Sequence, residues 1–172
     1  MTKDKSPRTP NFQVGGLTSL PIRERVQAVF DVITKDPNYS GFDTHAVGQN
    51  LTLVDVQPNV AKWEMEIGSH LCNKSGNLHG GAAATILDNL TSAALLTIAR
   101  PGFLDGGHVS RTITMSYLRP VPGGSRVTID CEIQAAGRNT ANISGKIFVD
   151  GKLCVSCIHD KVVFARQPTA KL

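Results

Sequence analysis

Asn73-Lys74-Ser75-Gly76-Asn77-Leu78-His79-Gly80-Gly81-Ala82-Ala83-Ala84-Thr85-Ile86-Leu87-Asp88 runs a polar loop through a His-Gly-Gly turn into an apolar helix of small residues. The spacing predicts a helix over 81–99, ended by Pro101-Gly102. Its apolar positions, among them Ala83, Ile86, Leu87, Leu90, Ala93, Ala94 and Ile98, wrap most of the circumference. A helix apolar nearly all round is a buried one. Asp88 is its single charge before Arg100, so the pattern predicts a buried carboxylate two turns in.

Outward from this helix the pattern changes period. Residues 20–36 place Ile22, Val26, Val29, Phe30 and Ile33 on one helical stripe, between Pro21 and Pro37. Residues 38–45 read as a loop, and 47–56 and 60–67 as strands about the turn Gln57-Pro58-Asn59. In the second strand Ala61, Trp63, Met65 and Ile67 alternate with Lys62, Glu64 and Glu66. Four more strands follow over 108–118, 125–135, 140–149 and 152–164, the last two joined by Asp150-Gly151, a tight hairpin signal. Short turns make an antiparallel sheet, and only one long apolar helix is available to cover it. The expected class is α+β: a curled antiparallel sheet wrapped around one central helix, with an additional N-terminal helix. One domain is expected over 20–166, with a poorly ordered tail over 1–19 and a short tail over 167–172.

With 172 residues, 41% hydrophobic and 19% charged, the chain can bury one substantial core. Aromatics are 5% and the net charge of +4 is not gathered into a basic run, which speaks against a nucleic-acid surface. No apolar run reaches the roughly 20 residues of a membrane span. Cys154 and Cys157 form a C-x-x-C within a strand, where a spacing of three points side chains to opposite faces. Together with Cys72 and Cys131 they read as free thiols, and no metal site is expected.

The chemistry concentrates at the helix start and at Asp88. The first N–H groups of a helix lack intrahelical partners and carry partial positive charge. Gly80 has no side chain to keep a ligand oxygen from its N–H, which makes an electrophilic site for an acyl carbonyl. Gly81 reads rather as a residue of tight helix packing. A carboxylate among apolar residues is costly unless paired or used, and such groups serve as nucleophile or general base. The plainer alternative puts Asp88 on a wet face beside Asn89 and Ser92. Gly80 and Asp88 stand eight residues apart, about 12 Å along a helix. One chain cannot apply both to a single reacting group, whereas two copies about a two-fold axis can. If both act, the working unit is a homodimer with composite sites.

The motif N-x-x-G-x-L-H-G-G-x6-D-N from Asn73 to Asn89, the run Val109-Ser110-Arg111-Thr112-Ile113-Thr114-Met115-Ser116-Tyr117-Leu118-Arg119-Pro120, and Gly137-Arg138-Asn139-Thr140-Ala141 resemble the hotdog-fold acyl-CoA thioesterases. The resemblance is to the phenylacetate-degradation group and the thioesterase superfamily member two type, over about residues 45–165. It implies a hotdog fold and hydrolysis of acyl-CoA to free acid and coenzyme A, with no cofactor beyond the coenzyme A of the substrate. It also implies dimers paired into a homotetramer. Asn73 and the Gly80 N–H would polarise the carbonyl, His79 would set the loop, and Asp88 of the facing subunit would act with Ser110 orienting water. Plainer roles are a turn for Asn73, a backbone cap for His79 and a routine strand hydroxyl for Ser110. Arg119 and Arg138 are candidates for the coenzyme A phosphates, or solvated surface.

Two other activities fit the same fold: an acyl-CoA hydratase or dehydratase, and a non-catalytic acyl-CoA-binding protein. The terminus Ala170-Lys171-Leu172 resembles the S-K-L peroxisomal address, so a peroxisomal location is expected, with cytoplasm or mitochondrion as the alternative.

Overall fold

The computed structural model describes residues 14–37, 39–47 and 50–163. Of the poorly ordered tail expected over 1–19, residues 1–13 lie outside the described residues, as does the Ala170-Lys171-Leu172 terminus, whereas 14–19 are ordered. A 3-10 turn, Val14–Ser19, precedes helix α1, Ile22–Lys35. Pro21 stands at the N-cap of α1, and its carbonyl accepts from Arg25 N–H. The helix stops where Asp36 turns extended, as the residue before a proline must.

The stretch read as loop contains one short helix, α2, Thr44–Val47. Asp43 O accepts from the N–H groups of Ala46 and Val47, and both of those side chains are buried. The first strand therefore begins later than position 47: β1 is Leu51–Gln57 and β2 is Val60–Glu66. Helix α3, Gly80–Ala94, passes into a 3-10 turn, Leu95–Thr97. The remaining strands are β3, His108–Tyr117; β4, Arg126–Ala136; β5, Thr140–Val149; and β6, Lys152–Val163.

All six strands form one antiparallel sheet in the order β1-β2-β4-β5-β6-β3. The alternation in β2 holds, with Ala61, Trp63 and Met65 buried, and Ile67, the residue after its end, buried as well. They join Ile86, Leu87 and Leu90 of α3 and Ile129, Ile143 and Ile147 of the central strands in one core. Phe30 of α1 meets Trp63 edge-on at 6.0 Å between ring centres, closing one end of the core. Helix α3 lies close to the sheet at Gly145. A Cβ there would sit 2.9 Å from both Cys157 Sγ and Thr91 Cγ2.

The helix is not apolar all round. Gly81, Thr85, Asp88, Asn89 and Ser92 form a stripe that the single chain leaves open or half-open, while Ala83, Ile86, Leu87, Leu90, Thr91, Ala93 and Ala94 are buried. Small residues had blurred the two faces, because alanine and glycine give little amphipathic contrast.

The two sheet edges differ. At β1, the Arg23 guanidinium donates to the carbonyls of Leu53 (3.0 Å) and Val54 (2.8 Å). At β3 the ten-residue edge carries a bulge at Arg111 and shows Val109 about half exposed, 48%. All four cysteines are free. Cys154 and Cys157 are both buried despite their spacing of three. The pairs Ile147↔Val155 and Phe148↔Leu153 leave Cys154 as the extra residue of a bulge, which breaks the alternation there.

Candidate active site

The helix start and Asp88 occupy two ends of one wall. At the start, Asn73 Oδ1 accepts from Ser75 N–H (2.9 Å) and Asn77 N–H (3.2 Å), so Asn73 is indeed a turn residue. That use occupies its oxygen and leaves its amide N–H2 as a donor. His79 is the N-cap, its Nδ1 accepting from Gly81 N–H at 3.0 Å. Gly81 is exposed and serves that cap, not a packing contact. Among the described residues nothing accepts from the Gly80 N–H, and Gly80 lines an open cleft of ≈ 490 Å³ together with Asn73, Asn77, Tyr117 and Arg119. Tyr117 O–H donates to Gly80 O at 3.0 Å, and its ring would lie 3.3 Å from a Cβ at position 80. The cleft thus has two donors, from Gly80 and Asn73, where an acyl oxygen could rest.

Asp88 departs from the sequence expectation. Its side chain is 45% exposed in the single chain, so it is not a buried charge. It is nevertheless well partnered. Ser110 Oγ–H donates to Oδ1 at 2.8 Å, His159 Nε2 lies 3.4 Å away and Lys161 Nζ 3.8 Å away. Ser110 therefore touches the carboxylate within the same chain.

His159 and Lys161 are the residues that the sequence reading missed. Strand periodicity puts Val155, Cys157, His159, Lys161 and Val163 on one face of β6, and all five are buried. A strand whose inward face carries a histidine and a lysine was the available signal. His159 is fully buried, with Nδ1 2.7 Å from Thr91 Oγ1. Thr91 Oγ–H also has the Leu87 carbonyl as an acceptor at 2.6 Å, and Nε2 makes no hydrogen bond among the described residues, lying 3.4 Å from Asp88 Oδ1. Burial, reinforced by Lys161, pushes His159 down to about 4, although Asp88 pulls the other way. Burial pushes neighbouring His108 down to about 4 as well, helped by Lys161 and His159. Both imidazoles are neutral at pH 7. Burial also lowers Lys161 from the usual lysine value, against the pull of Asp88.

The two arginines are not brought together. Arg119 donates to Leu153 O at 2.6 Å and lines the cleft. Arg138 is exposed in the β4–β5 turn, where Gly137 N–H donates to Thr140 O and Thr140 pairs with Val162 at the far end of β6. From Cys154 to Val162 is about 26 Å along a strand, so one chain's pair cannot grip one phosphate group. Among the described residues no group of three or more His, Cys, Asp or Glu is arranged to hold a metal ion.

Mouse acyl-coenzyme A thioesterase 13 is 30% identical over 139 residues, covering 75% of this chain and 91% of that protein. This chain belongs to the thioesterase superfamily. The superfamily pattern itself matches residues 75–155. Of the solved structures, zebra fish thioesterase superfamily member 2 superposes with a TM-score of 0.71 at 24% identity, covering 82% of this chain and 97% of that one. The mouse thioesterase superfamily member 2 gives 0.69 at 25%, covering 84% and 99%. The hotdog fold of this thioesterase is thereby shown. The matched stretch holds Gly80, Asp88 and Ser110, whereas His159 and Lys161 lie beyond it.

Proposed function

We propose that this thioesterase hydrolyses acyl-CoA to a free acid and coenzyme A at sites shared between two copies of the chain. One observation carries the reading: a donor-lined cleft at Gly80 and a half-open, partnered carboxylate at Asp88 share one helix but stand about 12 Å apart by helix rise. The name of the mouse relative supports acyl-CoA as the substrate class. The thioester carbonyl oxygen rests on the Gly80 N–H and the Asn73 amide, which stabilise the charge it gains. Asp88 of the facing subunit either takes a proton from a water that attacks the carbon, or attacks the carbon itself to give an anhydride that water then hydrolyses. In both routes the coenzyme A thiolate leaves and the free acid is released. Arg119 lines the same cleft, which supports it rather than Arg138 as the arginine for a coenzyme A phosphate.

The sheet edges support the dimer. Arg23 caps carbonyls at β1, while β3 offers unpaired backbone beside exposed Val109 and Ile158. Such an edge invites a second strand, and β3 lying against β3 brings the open stripe of each α3 towards the other copy. Two such dimers would make the homotetramer.

Complementation tests the shared site. Asp88→Asn and Gly80→Ala should each nearly abolish thiol release from acyl-CoA. Random one-to-one mixing makes half the dimers mixed, each with one intact site of two, so about a quarter of wild-type activity should return. No recovery in a sample shown to contain mixed dimers refutes the shared site.

A further inference from the structure

The ammonium of Lys161 is the unused feature of this molecule. Lys161 is 3% exposed, on the inward face of β6, directly across the strand pair from Ser110. It donates to Ser92 Oγ at 2.6 Å and to Ser110 Oγ at 3.0 Å, and lies 3.8 Å from Asp88 Oδ1. An ammonium has donors only. Each serine oxygen that accepts from it must therefore send its own proton elsewhere. Ser110 sends its proton to Asp88 Oδ1 (2.8 Å), and Ser92 sends its to the Asp88 backbone carbonyl (2.5 Å). Both hydroxyls are thus polarised towards Asp88. One carboxylate oxygen is committed to Ser110 and the His159 side, and the other is left for a reacting water or acyl carbon.

We propose that Lys161 is the positioning residue of this thioesterase, aligning Ser110 on the Asp88 carboxylate so that it is held and aimed by one oxygen. The inference rests on the reading of Asp88 as the reacting group. The charged and titratable neighbours are few. Helix α3 presents Asp88, β3 presents His108, and β6 itself carries Cys157, His159 and Asp160. Across the pair with β5, Lys161 meets Ala141. The Cys157 thiol stays protonated, pushed by burial up to about 11, and the two histidines are neutral at pH 7. Among the described residues Lys161 is therefore the cation that faces Asp88.

Lys161→Met removes the charge and both donors at similar length. The expected result is a loss in kcat of about 10- to 100-fold, as for a small misplacement of a reacting group, with KM held within about threefold because the cleft at Gly80 is untouched. A structural role alone would lower the melting temperature and leave kcat of the folded variant near that of wild type. Lys161→Gln, which keeps a donor without charge, is read by the same kcat–KM split if Lys161→Met gives no cooperative melt. A folded variant with kcat within twofold of wild type, or a loss that falls on KM instead, overturns the proposal. Asp88→Asn run alongside separates the two readings. Full activity in that variant removes the Asp88 reading itself, whereas an inactive Asp88→Asn with wild-type kcat in Lys161→Met removes only the role of Lys161.

Discussion

Gly145→Ala should cost this protein both stability and activity, although alanine suits a strand better than glycine. A methyl at position 145 would lie 2.9 Å from Cys157 Sγ, 2.9 Å from Thr91 Cγ2 and 3.1 Å from Leu87 Cδ2. Two of those atoms stand on α3, one residue before and three after Asp88. Ordinary contact requires about half an ångström more, so helix and sheet must part or rotamers must strain. Overpacking of this kind costs about 1–3 kcal/mol. Glycine in a strand interior is itself unfavourable by about 0.5–1 kcal/mol against alanine, which offsets part of the loss. The net expectation is about 1–2 kcal/mol, or a fall in Tm of about 2–8 °C at this chain length. Thr91 also holds the buried His159 at 2.7 Å, so the same displacement reaches the Asp88 cluster. Thermal melting and kcat measured on one preparation test both effects. A variant as stable as wild type, with unchanged kcat, would refute the close packing of α3 on β5 and β6.

Stability should fall on mild acidification. The unfolded histidines bind protons below about 6.5, whereas folded His108 and His159 resist until about 4. The unfolded state therefore holds more protons between these values, and stability drops as pH falls through that window and levels below it. His108 alone accounts for up to about 3 kcal/mol. Melting at constant ionic strength from pH 7 to pH 4.5 checks this, and a flat Tm contradicts the buried neutral imidazoles. Tyr117→Phe removes the donor to Gly80 O (3.0 Å) at an exposed position. Its stability cost should stay below about 1 kcal/mol, and its effect should fall on kcat through the helix start, so a loss confined to Tm counts against that role.

The half of the site at the helix start was legible because it is local. His79, Gly80 and Gly81 follow one another, and the cap, the free N–H and the Asx turn of Asn73 depend on neighbours within a few residues. The half at Asp88 was legible as that residue and, through the family resemblance alone, Ser110. Its partners Ser110, His159 and Lys161 come from β3 and β6, and no local pattern ties them to α3. Strand period puts His159 and Lys161 on the inward face of β6, but nothing along that strand says that a carboxylate stands opposite them until α3 packs there.

The sequence by itself determined the order of elements, the antiparallel sheet, the inward face of β2 and the catalytic look of one helix, because periodicity, turn chemistry and residue type are properties of neighbours along the chain. Tertiary structure decided the rest. It set the strand order that leaves β3 as an open edge, the bulge that turns Cys154 inward, the half exposure of Asp88 and the Lys161–Ser110–Asp88 alignment. Each of these depends on which distant segments the core presses together, and burial and proton placement exist only once they meet.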